Sequence, residues 1–139
     1  MMVEQPVHVL SVLVVEDNPD TAESLARFLR LGCGYEVSIA SDGLKGVQTA
    51  LEIHPDVVIC DLGLPKRNGL LVAEELVERL PRRPLMIAVT GYGNQVSHEH
   101  AADAGFDHFL VKPADPFEIE ALIEDYVRRT SFADGESGV

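Results

Sequence analysis

The chain has 139 residues, 46% of them hydrophobic, and its 11 basic and 23 acidic residues give a formal net charge of −12. That length suits one domain with one core, and so acidic a surface is repelled by nucleic-acid phosphates, so direct nucleic-acid binding is not expected. No apolar run approaches the ~20 residues that span a bilayer. Met1 to Pro6 also lack the basic start and apolar stretch of a signal peptide, so a cytoplasmic location away from the membrane is expected.

In chain order, the first apolar run is Val12-Leu13-Val14-Val15, which ends in the acidic pair Glu16-Asp17. Asn18 and Pro19 then supply an N-cap and a first helical residue, and a helix is expected to about Leu31, with Ala22, Leu25, Phe28 and Leu29 inward. Tyr35 to Ile39 alternates like an edge strand with one exposed face. Ser41 is expected to cap a helix whose stripe is Leu44, Val47 and Leu51, closed by Pro55. Val57-Val58-Ile59-Cys60 reads as a strand buried on both faces, ending on Asp61 before Gly63 and Pro65 stop it.

From Asn68 an amphipathic helix carries Leu76, Val77 and Leu80 to the Pro81–Pro84 break. Leu85 to Val89 is the fourth apolar strand, ending at Thr90-Gly91-Tyr92-Gly93, and a weakly apolar helix follows over Gln95 to Ala104. Phe106 to Val111 is the fifth strand, ending at Lys112-Pro113. Asp115, Pro116 and Glu118 then open a last helix with the inner stripe Ile119, Leu122, Ile123, Tyr126 and Val127. Ser131 to Val139 is expected to be a flexible tail after a domain of residues 8–130. Cys33 and Cys60 form neither a disulfide framework nor a metal-site spacing. His54, His98, His100 and His108 read as surface residues.

Five strand–helix units predict an α/β fold, a five-stranded parallel sheet with helices on both faces and right-handed crossovers. The C-terminal ends of parallel strands share one edge, which gathers Glu16, Asp17, Asp61, Thr90 and Lys112. Carboxylates brought together repel unless a proton or cation offsets them, and hard oxygen donors suit Mg²⁺. With a hydroxyl and an ammonium added, these are the parts of a phosphoryl-transfer site. Singly, each residue has a plainer reading: Asp61 as a turn residue, Thr90 and Gly91 as a turn, and Lys112 as a solvated lysine.

The acidic pair Glu16-Asp17, Asp61 after a buried strand, Thr90 after the fourth and Lys112-Pro113 after the fifth resemble the receiver domain of response regulators over about residues 8 to 130. Asp61-Leu62-Gly63-Leu64-Pro65, Thr90-Gly91-Tyr92-Gly93 and Leu110-Val111-Lys112-Pro113 look like receivers attached to hybrid histidine kinases, many of which also stand alone. The resemblance implies strand order 2-1-3-4-5, the flavodoxin-like receiver fold. It implies that Asp61 is the phosphoacceptor of a two-component phosphorelay, taking its group from a histidine kinase or a histidine phosphotransfer protein.

The same resemblance implies Mg²⁺ held by Asp17, Asp61 and the carbonyl of Gly63, with Glu16 acting through water. Lys112 would pair with the phosphoryl oxygens beside a cis peptide to Pro113, and Thr90 would donate its hydroxyl. Phe109 would be the aromatic that follows Thr90, although Phe109 reads equally well as a core residue. Gly91 is expected to be small because a side chain would crowd the site. Gly63 and Tyr92 flank the path of the attacking water.

No DNA-binding or catalytic effector is read after Thr130, so output is expected by protein–protein contact, a homodimer being compatible with that. A phosphate sink or relay intermediate is the alternative. A flavin carrier would need a phosphate-cradling loop where Glu16-Asp17 stand. A Mg²⁺-dependent phosphohydrolase would want a second acid at Gly63. The domain is therefore expected to signal rather than to act as an enzyme on other substrates.

Overall fold

The computed structural model describes residues 9–64, 68–91 and 97–137, with side chains described through Thr130. Five parallel strands lie in the order β2-β1-β3-β4-β5: β1 Ser11–Val15, β2 Glu36–Ala40, β3 Val57–Asp61, β4 Leu85–Thr90 and β5 His108–Val111. The helices are α1 Pro19–Arg27, α2 Gly43–Ile53, α3 Gly69–Arg79, α4 His98–Ala104 and α5 Pro116–Ser137.

Strand alternation divides the core into two layers. Val12, Val14, Val57, Ile59, Ile87 and Val89 pack with Ala22, Ala26 and Leu29 of α1 and with Ile119 and Ile123 of α5. Leu13, Val15, Val58, Cys60, Met86 and Ala88 pack with Val47 and Ala50 of α2, Val72, Ala73 and Leu76 of α3, and Ala101 and Ala104 of α4. Every residue of β3 and β4 is buried, as expected for central strands of a parallel sheet covered on both faces.

The edge strand β2 is protected by a side chain. Glu36 N–H bonds the Leu10 carbonyl and Glu16 N–H bonds the Ala40 carbonyl, so Glu36, Ser38 and Ala40 face β1. Alternation then turns Val37 to the unpaired side, where Arg30 donates to its carbonyl at 2.7 Å. Arg30 stands in a π-helical turn, Phe28–Gly32, that prolongs α1.

Several local expectations need correction. The cap of α2 is Asp42, not Ser41; the Asp42 carboxylate accepts from Lys45 N–H at 2.8 Å. Leu44 consequently sits on the outer face, 42% exposed, while Gly43 and Gly46 take inner positions. Val77 is also exposed. β5 starts at His108, although Phe106 is buried just before it. α5 runs to Ser137, so the backbone of 131–137 is helical. Tyr92, Gly93, Gln95 and Pro65 lie outside the described residues.

Candidate functional site: an acidic cluster bridged by a lysine

Each strand delivers its last residue to the same edge because the strands run parallel and end in turn-forming sequence. β1 ends at Val15 and β3 at Asp61, and the pairing of Val15 with Cys60 places Glu16 beside Asp61. β5 ends at Val111, opposite Thr90, and Lys112 follows after a backbone hydrogen bond from Lys112 N–H to the Thr90 carbonyl at 2.7 Å. The Lys112–Pro113 peptide is cis.

Lys112 Nζ lies 2.7 Å from Glu16 Oε1 and 2.9 Å from Asp61 Oδ2. The other Asp61 oxygen, Oδ1, accepts from Gly63 N–H at 2.9 Å. Glu16 Oε2 accepts from Asn18 N–H at 3.0 Å. Both oxygens of each of these carboxylates therefore have a donor, as buried charges require. Glu16 is 6% exposed and Asp61 8%, while Asp17 stands exposed at the rim. One carboxylate oxygen from each of Glu16, Asp17 and Asp61 lies within 4.8 Å of the others.

The electrostatics show the cost of this crowding. Burial raises the pKa of Glu16, and the Asp61 charge and a hydrogen bond with Asp17 push the same way; Lys112 and the Asn18 N–H only partly offset them. For Lys112 burial disfavours the ammonium, but hydrogen bonds to Glu16 and Asp61 outweigh it and the pKa is raised. Lys112 is thus held as a cation by two acids. The donor set is all oxygen, anionic, and open to solvent at Asp17, which fits a hard divalent cation that keeps several waters.

Thr90 is buried, and among the described residues its hydroxyl makes only a long 3.5 Å contact to the Gly91 carbonyl. Its side chain follows Met86 and Ala88 onto the α2–α4 face, whereas Asp61 follows Val57 and Ile59 onto the α1–α5 face. The site therefore straddles the sheet edge. A Cβ built at Gly91 meets no described atom within 4 Å. Phe109 pairs with Ala88 in register and is half-buried on the α4 side, away from the carboxylates.

Two contributors escaped the sequence reading. Asn18 was identified as a helix cap, and its side chain does accept from Asp20 and Thr21 N–H groups, but its own N–H also orients Glu16. Gly69, the first residue of α3, lies so close behind the site that a Cβ would sit 2.6 Å from the Asp61 carbonyl oxygen. No local sequence signal announces that approach. Beside the acids, a cavity of about 700 Å³ opens between α1 and the start of α5, lined among others by Glu16, Asp61, Lys112, Leu25, Phe28 and Ile119.

Comparison with known proteins agrees with this arrangement. The family model described as "Response regulator receiver domain" matches residues 12–124. The chain is 33% identical over 121 residues to the DNA-binding dual master transcriptional regulator RpaA of Synechocystis sp., covering 86% of this chain and 49% of that protein. It is 36% identical over 119 residues to the transcriptional regulatory protein PrrA of Mycobacterium leprae, covering 85% and 50%. The chain thus spans about half the length of these two regulators. Among solved structures, it is similar to a response regulator receiver domain protein from Clostridium thermocellum, with a TM-score of 0.81 at 25% identity over 90% of this chain and 99% of the other. A CheY-like receiver domain protein from Methanospirillum hungatei gives a TM-score of 0.78 at 25% identity, over 91% and 99%. With strand order, lysine-bridged acids and sequence all in agreement, the chain belongs to the response regulator receiver domain family, the phosphoacceptor domains of two-component signalling.

Proposed function

We propose that this chain takes a phosphoryl group onto Asp61 from the phosphohistidine of a histidine kinase or phosphotransfer protein. The observation that carries this reading is Lys112 Nζ held between Glu16 and Asp61 at 2.7 and 2.9 Å, beside the exposed Asp17. In the transfer, a carboxylate oxygen of Asp61 attacks phosphorus and the histidine N–P bond breaks. The freed imidazole nitrogen keeps the electron pair and takes a proton. Gly63 N–H orients Asp61, Lys112 offsets charge on the transferred oxygens, and the Thr90 hydroxyl donates to one of them.

The residues that would hold Mg²⁺ are Asp17, Asp61 and the Gly63 carbonyl. Glu16, held by Lys112 and the Asn18 N–H, would act through water. The cation, when bound, supplies positive charge against which carboxylates and phosphoryl oxygens can approach. The cavity beside α1 and α5 gives the donor histidine a route to Asp61. The phosphorylated form then acts by contact with another protein.

Intact-mass measurement after incubation with acetyl phosphate tests this. Wild type should gain one phosphoryl group when Mg²⁺ is present and none when it is chelated, and Asp61→Asn should gain none. Equal labelling of wild type and Asp61→Asn would move the acceptor elsewhere.

A further inference from the structure

The first residue of α4 is stacked on the fifth strand: the rings of His98 and Phe109 have centroids 4.0 Å apart and planes tilted by 34°. Among the described residues, α4 buries no large side chain of its own. Its buried residues are Ala101 and Ala104, the smallest apolar side chains, and the helix spans only His98 to Ala104. An alanine removes little apolar surface from water compared with a ring, so the stack is a large share of what this helix has.

The stack also lies in line with the site. In register, Phe109 pairs with Ala88 and Val111 with Thr90, and paired residues of parallel strands project to the same face. Thr90 and Phe109 therefore share the face that α4 covers, opposite to the face of Asp61. The Thr90 carbonyl is tied to β5 by Lys112 N–H. A change at Thr90 reaches Phe109 across one strand pair, and Phe109 touches α4 through His98.

We propose that His98 is a positioning residue for Phe109, and that their ring stack is the link through which a turn of Phe109 displaces the first turn of α4. The link rests on the phosphoacceptor reading only for what triggers it; the coupling of the two rings exists without any ligand.

A double-mutant cycle in the full chain, free of metal and phosphoryl donor, decides the coupling. Amide hydrogen exchange is read at Ala101 to Ala104 by NMR for wild type, His98→Ala, Phe109→Leu and the double variant. Each single change should speed α4 exchange about two- to tenfold, the range expected for one aromatic pair, while α3 exchange stays put. The double variant should be no faster than the faster single. Alanine is a better helix former than histidine, so propensity alone would slow exchange in His98→Ala. His98→Phe should restore the wild-type rate. Additive effects in the double variant, or no change in His98→Ala, would overturn the link.

A second arm adds Mg²⁺ and beryllofluoride, a phosphoryl mimic. The α4 amides should respond in wild type and much less in His98→Ala, with the loops around Asp61 responding equally in both. If those loops fail to respond in wild type, the phosphoacceptor reading fails, and the ligand-free cycle still decides the His98–Phe109 link. An undiminished α4 response in His98→Ala would show that the stack transmits nothing.

Discussion

Lys112 and the three acids illustrate how few residues can set a site's character. Glu16 is buried against its own preference, since burial and the neighbouring Asp61 raise its pKa, and Lys112 relieves only part of this. Asp17 differs in being exposed, so it can exchange water for metal at little cost. Asp17→Asn should therefore weaken Mg²⁺ binding by about tenfold or more, as expected when one of few direct carboxylates is lost. Titration calorimetry checks this, and an unchanged affinity would place the metal away from Asp17. Cys33 shows the opposite use of an acid. Its Sγ donates to Glu120 Oε2 at 3.1 Å, and burial together with that carboxylate pushes the thiol up to about 12. A raised thiol pKa means less thiolate at pH 8, and the thiolate's greater nucleophilicity compensates only in part. Alkylation of Cys33 by iodoacetamide at pH 8 should then run roughly tenfold or more below that of free cysteine. Labelling at the free-cysteine rate would show that Glu120 does not hold the thiol.

At the level of elements, the close seat of α3 beneath β3 is what gives Asp61 a rigid backbone. Gly69 N–H bonds the Leu62 carbonyl at 3.2 Å, and Asn68 caps the helix by accepting from Leu71 N–H at 3.1 Å. A Cβ at residue 69 would lie 2.6 Å from the Asp61 carbonyl oxygen and 2.8 Å from Leu62 Cα. Both are backbone atoms, which cannot swing aside as a side chain can. Gly69→Ala should cost about 1–3 kcal/mol, the usual range for overpacking, and should slow acetyl phosphate labelling as the end of β3 shifts. Urea unfolding gives the first quantity and the mass assay the second. Wild-type values for both would mean that α3 can slide away from β3 freely. α4 buries two alanines among the described residues and carries one ring stack, a light anchoring that suits a low-stability element.

For the molecule as a whole, the net charge of −12 and the clustered acids both oppose the folded state. A cation that binds the folded site alone stabilises it by mass action, by about 2.7 kcal/mol at a hundred times its Kd. Mg²⁺ should thus raise Tm by several degrees relative to NaCl of matched ionic strength, the salt control removing simple screening. Asp17→Asn should lose most of that gain. An equal Tm in Mg²⁺ and matched NaCl would mean that the ion acts only as general salt. Among the described residues no helix is long and apolar enough to cross a membrane.

The order of strands and helices was legible in the chain because its signals are local. Apolar runs of four or five residues, Pro19 and Pro116 at helix starts, and Asn18 and Asn68 as caps all act within a few neighbours. The parallel sheet followed from that alternation, and it brings Glu16, Asp61 and Lys112 to one edge, where their ion pairs form. Where two caps competed, local reasoning failed: Ser41 and Asp42 are adjacent, and the seat of α2 on β1, with Gly46 against Val15, accompanies the choice of Asp42. What only tertiary structure decided are contacts between residues far apart in sequence. The approach of Gly69 to β3, the bond from Arg30 to an unpaired strand edge and the stacking of His98 on Phe109 leave no periodic trace. They arise from how the elements settle against one another, a matter of packing distances that no short stretch of sequence contains.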